Sequence, residues 1–118
     1  MHVLSASSIS GTLTGNQVVN PAGEDIGHVK DLMIDLQHGR VAYAVLSFGG
    51  VFGFGDKLFA VPFEALALDT AKERFTLDVS KDTLERAKGF DQNDWPDFAD
   101  PMFHQRTYEA YGHAPYWS

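Results

Sequence analysis

The stretch Val41-Ala-Tyr-Ala-Val-Leu-Ser-Phe48, followed by Gly49-Gly-Val-Phe-Gly-Phe-Gly55 and Lys57-Leu-Phe-Ala-Val-Pro62, decides how the chain folds. Runs of Val, Phe and Tyr bounded by Gly and Pro read as two strands joined by a glycine-rich loop. Side chains along a strand alternate between its faces. Val41, Tyr43 and Val45 therefore share one face, and Ala42, Ala44, Leu46 and Phe48 the other. Neither face is polar. A strand that is apolar on both faces has something packed on both. A chain of 118 residues has room for one core. The second cover is thus an appended segment or another subunit.

Working back from this pair, Ile26 to Asp35 reads as a strand whose apolar face (Ile26, Leu32, Ile34) is interrupted by His28 and Lys30. A bulge near Lys30 would re-aim these side chains. Leu36-Gln-His-Gly39 is its hairpin turn into the central pair. Further back, Gln17-Val-Val-Asn20 is a short strand and Pro21-Ala-Gly-Glu24 a turn. Residues 1–15, rich in Ser, Thr and Gly, read as a flexible lead-in. Forward from Pro62, Ala67-Leu-Asp69 is a brief strand. Phe75, Leu77 and Val79 alternate with polar neighbours as a half-buried one. Six short strands at close spacing predict a small antiparallel β-barrel over residues 16–80. Ser80 caps a short helix over residues 81–88, with Gly89 as its stop.

From Gly89 the composition changes. Phe90, Trp95, Phe98, Phe103, Tyr108, Tyr111, Tyr116 and Trp117 stand among Asp91, Asp94, Asp97, Asp100 and Glu109. A disordered tail is poor in aromatics. Residues 81–118 are therefore expected to be a helix and an extension that packs its rings on the barrel or on a neighbour. Trp95 and Phe98 share a face if a helical turn begins near Trp95, with Pro96 in its first turn.

Bulk properties remove several function classes. A net charge of −7 opposes binding to nucleic-acid phosphates and to anionic membrane surfaces. No apolar run approaches the roughly 18 residues of a spanning helix, and the first residues lack the basic and apolar regions of a signal peptide. The chain has no cysteine. That removes thiolate chemistry and disulfides, and makes a cytoplasmic site the expectation.

The residues Val18-Val-Asn-Pro-Ala-Gly-Glu-Asp-Ile-Gly27, Asp31-Leu-Met-Ile-Asp35, Gly39-Arg-Val-Ala-Tyr-Ala-Val-Leu-Ser-Phe-Gly-Gly50 and Lys57-Leu-Phe-Ala-Val-Pro62 together resemble a PRC-barrel domain. This is the barrel named for the photosynthetic reaction-centre H subunit, and it is also similar to the C-terminal half of a ribosome-maturation factor. The extension Gly89-Phe-Asp-Gln-Asn-Asp-Trp-Pro-Asp-Phe-Ala-Asp-Pro101 resembles the free-standing, stress-associated bacterial branch. The resemblance implies a six-stranded barrel that serves protein interaction or assembly, with no catalytic residue to carry over. The H subunit's membrane helix and the ribosome factor's partner domain have no counterpart here, so neither of those jobs transfers.

Four constellations compete as sites. Asp91, Asp94, Asp97 and Asp100 fall every third residue, but without the EF-hand spacing, and Asp before turns caps backbone N–H groups. His28, Asp31, Asp35 and His38 lie on one hairpin, with His28 and Asp31 on opposite faces unless a bulge intervenes. The loop from Gly49 to Gly55 opens a strand rather than a phosphate-binding helix, and it presents Phe52 and Phe54 for contact. Glu64 near Asp56 has no nucleophile or fixed base beside it. No cofactor and no metal is expected. The function expected is a homodimeric or larger, non-enzymatic interaction module using Tyr43, Phe48, Phe52, Phe54, Trp95 and Phe98, with a further unknown protein partner. The alternative is a regulatory domain that binds a small ligand or metal.

Overall fold

Short apolar runs separated by turn residues fold into one strongly bent sheet. A computed structural model describes residues 3–5, 17–49, 57–69, 72, 74–91, 93–98 and 100–112. The strands are β1 (Val3–Ser5), β2 (Gln17–Val19), β3 (Asp25–Asp35), β4 (Arg40–Phe48), β5 (Lys57–Pro62), β6 (Leu66–Asp69) and β7 (Arg74–Leu77). A 3-10 turn, Phe63–Ala65, links β5 to β6, and two helices follow, α1 (Lys81–Arg86) and α2 (Pro101–Ala110). The sheet order is β5-β4-β3-β2-β7-β6, with β1 beside β3. The result is the mainly β fold expected, a half-barrel in which most pairs are antiparallel. One pair differs: β2 and β7 run parallel, with Val18 opposite Phe75 and Val19 opposite Thr76. The β6–β7 hairpin reaches β2 by a crossover from β5, so no hairpin turn forces β7 to oppose β2. β1, within the stretch read as a lead-in, pairs Val3 with Asp35 and Ser5 with Met33.

The bulge expected near Lys30 is present: Val29 faces Leu46 while Asp31 faces Val45, so the register skips Lys30. It turns Val29 and Leu32 to the same side and so repairs the broken apolar pattern of β3. A second irregularity lies opposite Met33 and Ile34, which face Tyr43 and Val41 and skip Ala42. It corrects the facing read from alternation. Val41 packs toward the inner core, and Ala42 joins Tyr43 and Val45 on the outer side. Gly27 marks another close approach. With φ near 120°, it lies where an added Cβ would sit 2.0 Å from the Ser47 carbonyl oxygen.

Two apolar clusters result. The inner one gathers Val18, Ile26, Val29, Leu32, Ala44, Leu46, Phe48, Phe59, Val61, Phe75, Leu77 and, from α1, Leu84. The outer one stands on the opposite face of β4 and β5. Ser80 caps α1, its hydroxyl accepting from the Thr83 amide at 3.1 Å. α1 ends at Arg86, short of the predicted Lys88. Lys57 from β5 donates to the carbonyls of Leu84, Glu85 and Ala87 there. A lysine at the carbonyl end of a helix satisfies acceptors that have no partner within it.

A candidate interaction surface under the C-terminal extension

The outer face begins with alternation. Tyr43 and Val45 on β4 stand beside Leu58 and Ala60 on β5, and Met33 on β3 completes the floor. Such a floor in water would be a large apolar patch. The extension closes it. Gly89 has φ near 61°, and its Cα lies so close to β5 that a Cβ would come within 2.7 Å of the Leu58 carbonyl oxygen. This approach lets Phe90 pair with Leu58 through two backbone hydrogen bonds of 2.8 Å. The extension thereby starts as a short addition to the β5 edge.

From there the rings run in a chain across the face. Phe90 meets Trp95 at 5.3 Å between centroids, Trp95 meets Phe98 at 6.3 Å, and Phe98 meets Phe103 at 5.3 Å. Tyr43 is where they converge. It contacts Phe98, Phe103 and Tyr108 at 5.5–5.9 Å and stacks on His104 at 5.2 Å. Offset and edge-on geometries of this kind are the favoured ones for rings.

α2 begins later than expected. Pro96 opens no helix; Pro101 does, in its first turn, and the Asp100 carboxylate accepts from the Met102 amide at 3.0 Å. His104 and Tyr108, four residues apart, face inward from it. Both are fully enclosed, at 1% and 0% exposure. The Tyr108 hydroxyl donates to the Ala42 carbonyl at 2.8 Å. That carbonyl belongs to the residue skipped by the β3–β4 register, so the helix provides a donor where the ladder is interrupted. The Tyr43 hydroxyl and His104 Nδ1 share a hydrogen bond. Burial holds His104 below the usual imidazole range, although the Phe98 backbone, Asp35 and Asp100 favour its charged form. Burial raises the Tyr108 phenol well above its ordinary value, with Glu64 acting in the same sense.

Of the residues expected to form an interaction surface, Tyr43, Trp95 and Phe98 are brought together here. Phe48 points the other way, into the inner core. Phe52 and Phe54 lie outside the described residues. His104 and Tyr108 were not singled out from sequence, though with Tyr111 they repeat at the i, i+4, i+7 spacing of a buried helical stripe.

Several members of the polar constellations make local hydrogen bonds or ion pairs. The Asp91 and Asp100 carboxylates accept from the Asn93 and Met102 amides. The Lys30 bulge puts His28 and Asp31 on one face, opposite Ser47 and Val45. His28 is exposed and Asp31 bonds the Leu32 amide, while Asp35 takes the amides of Gln37 and His38 and the His38 ring. Glu64 pairs with Arg40 at 2.7 Å; Asp56 lies outside the described residues. Among those residues, no three His, Cys, Asp or Glu side chains converge as metal ligands would.

A second feature is an open cleft of about 860 Å³ where β2 and β3 begin and β4 ends. Gln17, Asp25, His28, Ser47, Lys81 and Glu85 line it, and Phe48 contributes to its wall.

A family model for the PRC-barrel domain matches residues 10–84. The chain belongs to the PRC-barrel family. The matched span holds β2 to β7 and the start of α1, so the cover from Phe90 through α2 lies beyond the family's own domain. A search of curated proteins gives no match to this PRC-barrel chain. No helix among the described residues is long and apolar enough to cross a membrane.

Proposed function

We propose that this PRC-barrel chain is a non-enzymatic interaction and assembly module that associates with itself through the outer face of β4 and β5. One observation carries the reading. The face is closed by a segment of the same chain that, among the described residues, is joined to the barrel by one backbone bridge, at Leu58 and Phe90. A second copy presents the identical complement, so exchange of the extension between copies reproduces every contact at little cost. The non-enzymatic reading has its own support. The described pair nearest to acid–base chemistry, His104 and Tyr43, is sealed from solvent and cannot touch a substrate. The cysteine-free composition supports a cytoplasmic site.

Light scattering on the whole chain at tens of micromolar tests the association. A dimer or larger mass is expected, and a monomer mass refutes it. The second reading, a small-ligand module, rests on the polar cleft beside α1. A saturable thermal shift with nucleotides or divalent cations, lost on Lys81→Met or Glu85→Gln, would favour that reading instead.

A further inference from the structure

His104 stands where an imidazole is hardest to charge. It is 1% exposed, stacks on Tyr43 of the outer cluster and meets Phe103 edge-on. It is also the fourth residue of α2, near the positive end of the helix dipole, which disfavours a cation. The charges that face it come from each neighbouring element. Asp35 at the end of β3 and Asp100 at the start of α2 favour protonation. Asp35 already serves the Gln37 and His38 amides and the His38 ring, and Asp100 the Met102 amide. Arg40 and Glu64, which act on Tyr108 in opposite senses, pair with each other. The rings of Tyr43 and Phe103 offer some attraction to a cation, but that attraction offsets only part of the hydration a buried imidazolium loses.

We infer that residues 95–108 form an acid-released cover, docked on the barrel while the His104 ring is uncharged and freed when it takes a proton. The sign follows from linkage. Docked, His104 titrates below its ordinary value near 6.5; released, it returns to that value. Docking is therefore at full strength above about pH 6.5 and weakens as pH falls, by up to about tenfold per unit, until the docked ring itself protonates. Ordinary carboxylates titrate near 4, so the range from about 6.5 to 5 sets histidines apart from them, and His104→Phe sets His104 apart from the chain's four other histidines. This regulation concerns the cover itself; exchange protection reports it, whereas mass reports self-association, so either idea can fail alone.

The experiment is hydrogen exchange on the full chain at pH 7.5 and 5.0, corrected for intrinsic rates. Protection in 95–108 is expected to fall at pH 5.0, by at most about thirtyfold over the roughly 1.5 pH units below 6.5, and to return on neutralisation, while amides of β2, β3 and β7 stay protected. His104→Phe keeps a ring against Tyr43 and should show equal protection at both pH values. Tyr43→Phe loses the same hydrogen bond but keeps the titrating ring, so its pH response should persist. Unchanged protection in the native chain, or an equal loss in His104→Phe, overturns the inference. Should His104→Phe not dock at pH 7.5, an NMR titration of the native His104 ring decides. A midpoint below 6.5 that coincides with loss of protection supports the cover, and one at or above 6.5 refutes it.

Discussion

Replacing Tyr108 tests the hold of α2 on the barrel most directly. Tyr108→Phe keeps the ring at 5.5 Å from Tyr43 and removes only the hydroxyl that donates to Ala42. A buried acceptor left without its donor costs about 1–3 kcal/mol. In equilibrium terms the cover opens about 5- to 150-fold more often. Tyr108→Ala also removes a fully buried ring, and large-to-small changes of this kind cost about 3–5 kcal/mol. Hydrogen exchange should show α2 amides losing protection in that proportion for the Phe variant and almost all protection for the Ala variant. The strands of the inner cluster should change little. Ionisation offers an internal control. The docked phenol titrates well above its ordinary value near 10. Its contribution is thus full below pH 10 and declines as pH rises beyond it, and Tyr108→Phe should remove that part of the alkaline loss while leaving the part due to Tyr111, whose phenol burial also raises. If the Phe variant protects α2 to within about twofold of the native chain, the Tyr108–Ala42 bond does not hold the cover.

Gly27→Ala places a Cβ 2.0 Å from the Ser47 carbonyl oxygen at a φ suited to glycine; a loss of about 3 kcal/mol or more is expected from urea unfolding, and a loss below 1 would contradict the close approach. Gly89→Ala should cost about 2–4 kcal/mol of docking, from backbone strain and the weakened Leu58–Phe90 bonds, seen as faster exchange at those two amides with the inner core unaffected. Lys57→Met should leave the end of α1 uncapped and lower the melting temperature by about 4 °C, equivalent to roughly 1 kcal/mol; an unchanged value would mean water replaces the ammonium at no cost.

What the sequence revealed follows the range of its signals. The two-faced β4, the Lys30 bulge, the Ser80 cap and the aromatic extension all leave local marks, in alternation, broken alternation, residue type and composition. The parallel β2–β7 pair leaves none, because strand direction across a crossover depends on long-range packing rather than on local pattern. The exchange of faces between Val41 and Ala42 was hidden for a related reason, since both are small and apolar. From sequence a helical turn is expected at Pro96, ahead of the Pro101 that opens α2. The helix starts at Pro101 because Asp100 before it caps the first turn, whereas Trp95 precedes Pro96 and has no oxygen with which to cap. His104 lay open to discovery through its spacing with Tyr108 and Tyr111, but a single histidine beside Gln105 and Arg106 reads as part of a solvated face.

The two clusters share one wall, and this decides whether the cover can leave without unfolding the barrel. β4 sends Ala44, Leu46 and Phe48 inward and Tyr43 and Val45 outward; β5 does the same with Phe59 and Val61 against Leu58 and Ala60. Val18, Phe75 and Leu77, which close the inner cluster on its far side, take no part in the outer one. Of the described α2 segment, Tyr111 reaches the inner cluster, and only as a partly buried neighbour. Losing the cover therefore strips one face of two strands whose other face and backbone ladders stay satisfied. Sub-global opening of this kind occurs when a unit's contacts are contiguous and separable from the rest. The acidic residues fit the same division. Asp91, Asp94 and Asp97 face solvent while the rings beside them face the barrel. Repulsion from a chain of net charge −7 is thus met in water, where salt screens it beyond about 8 Å, and the aromatic contacts are left to hold the segment down.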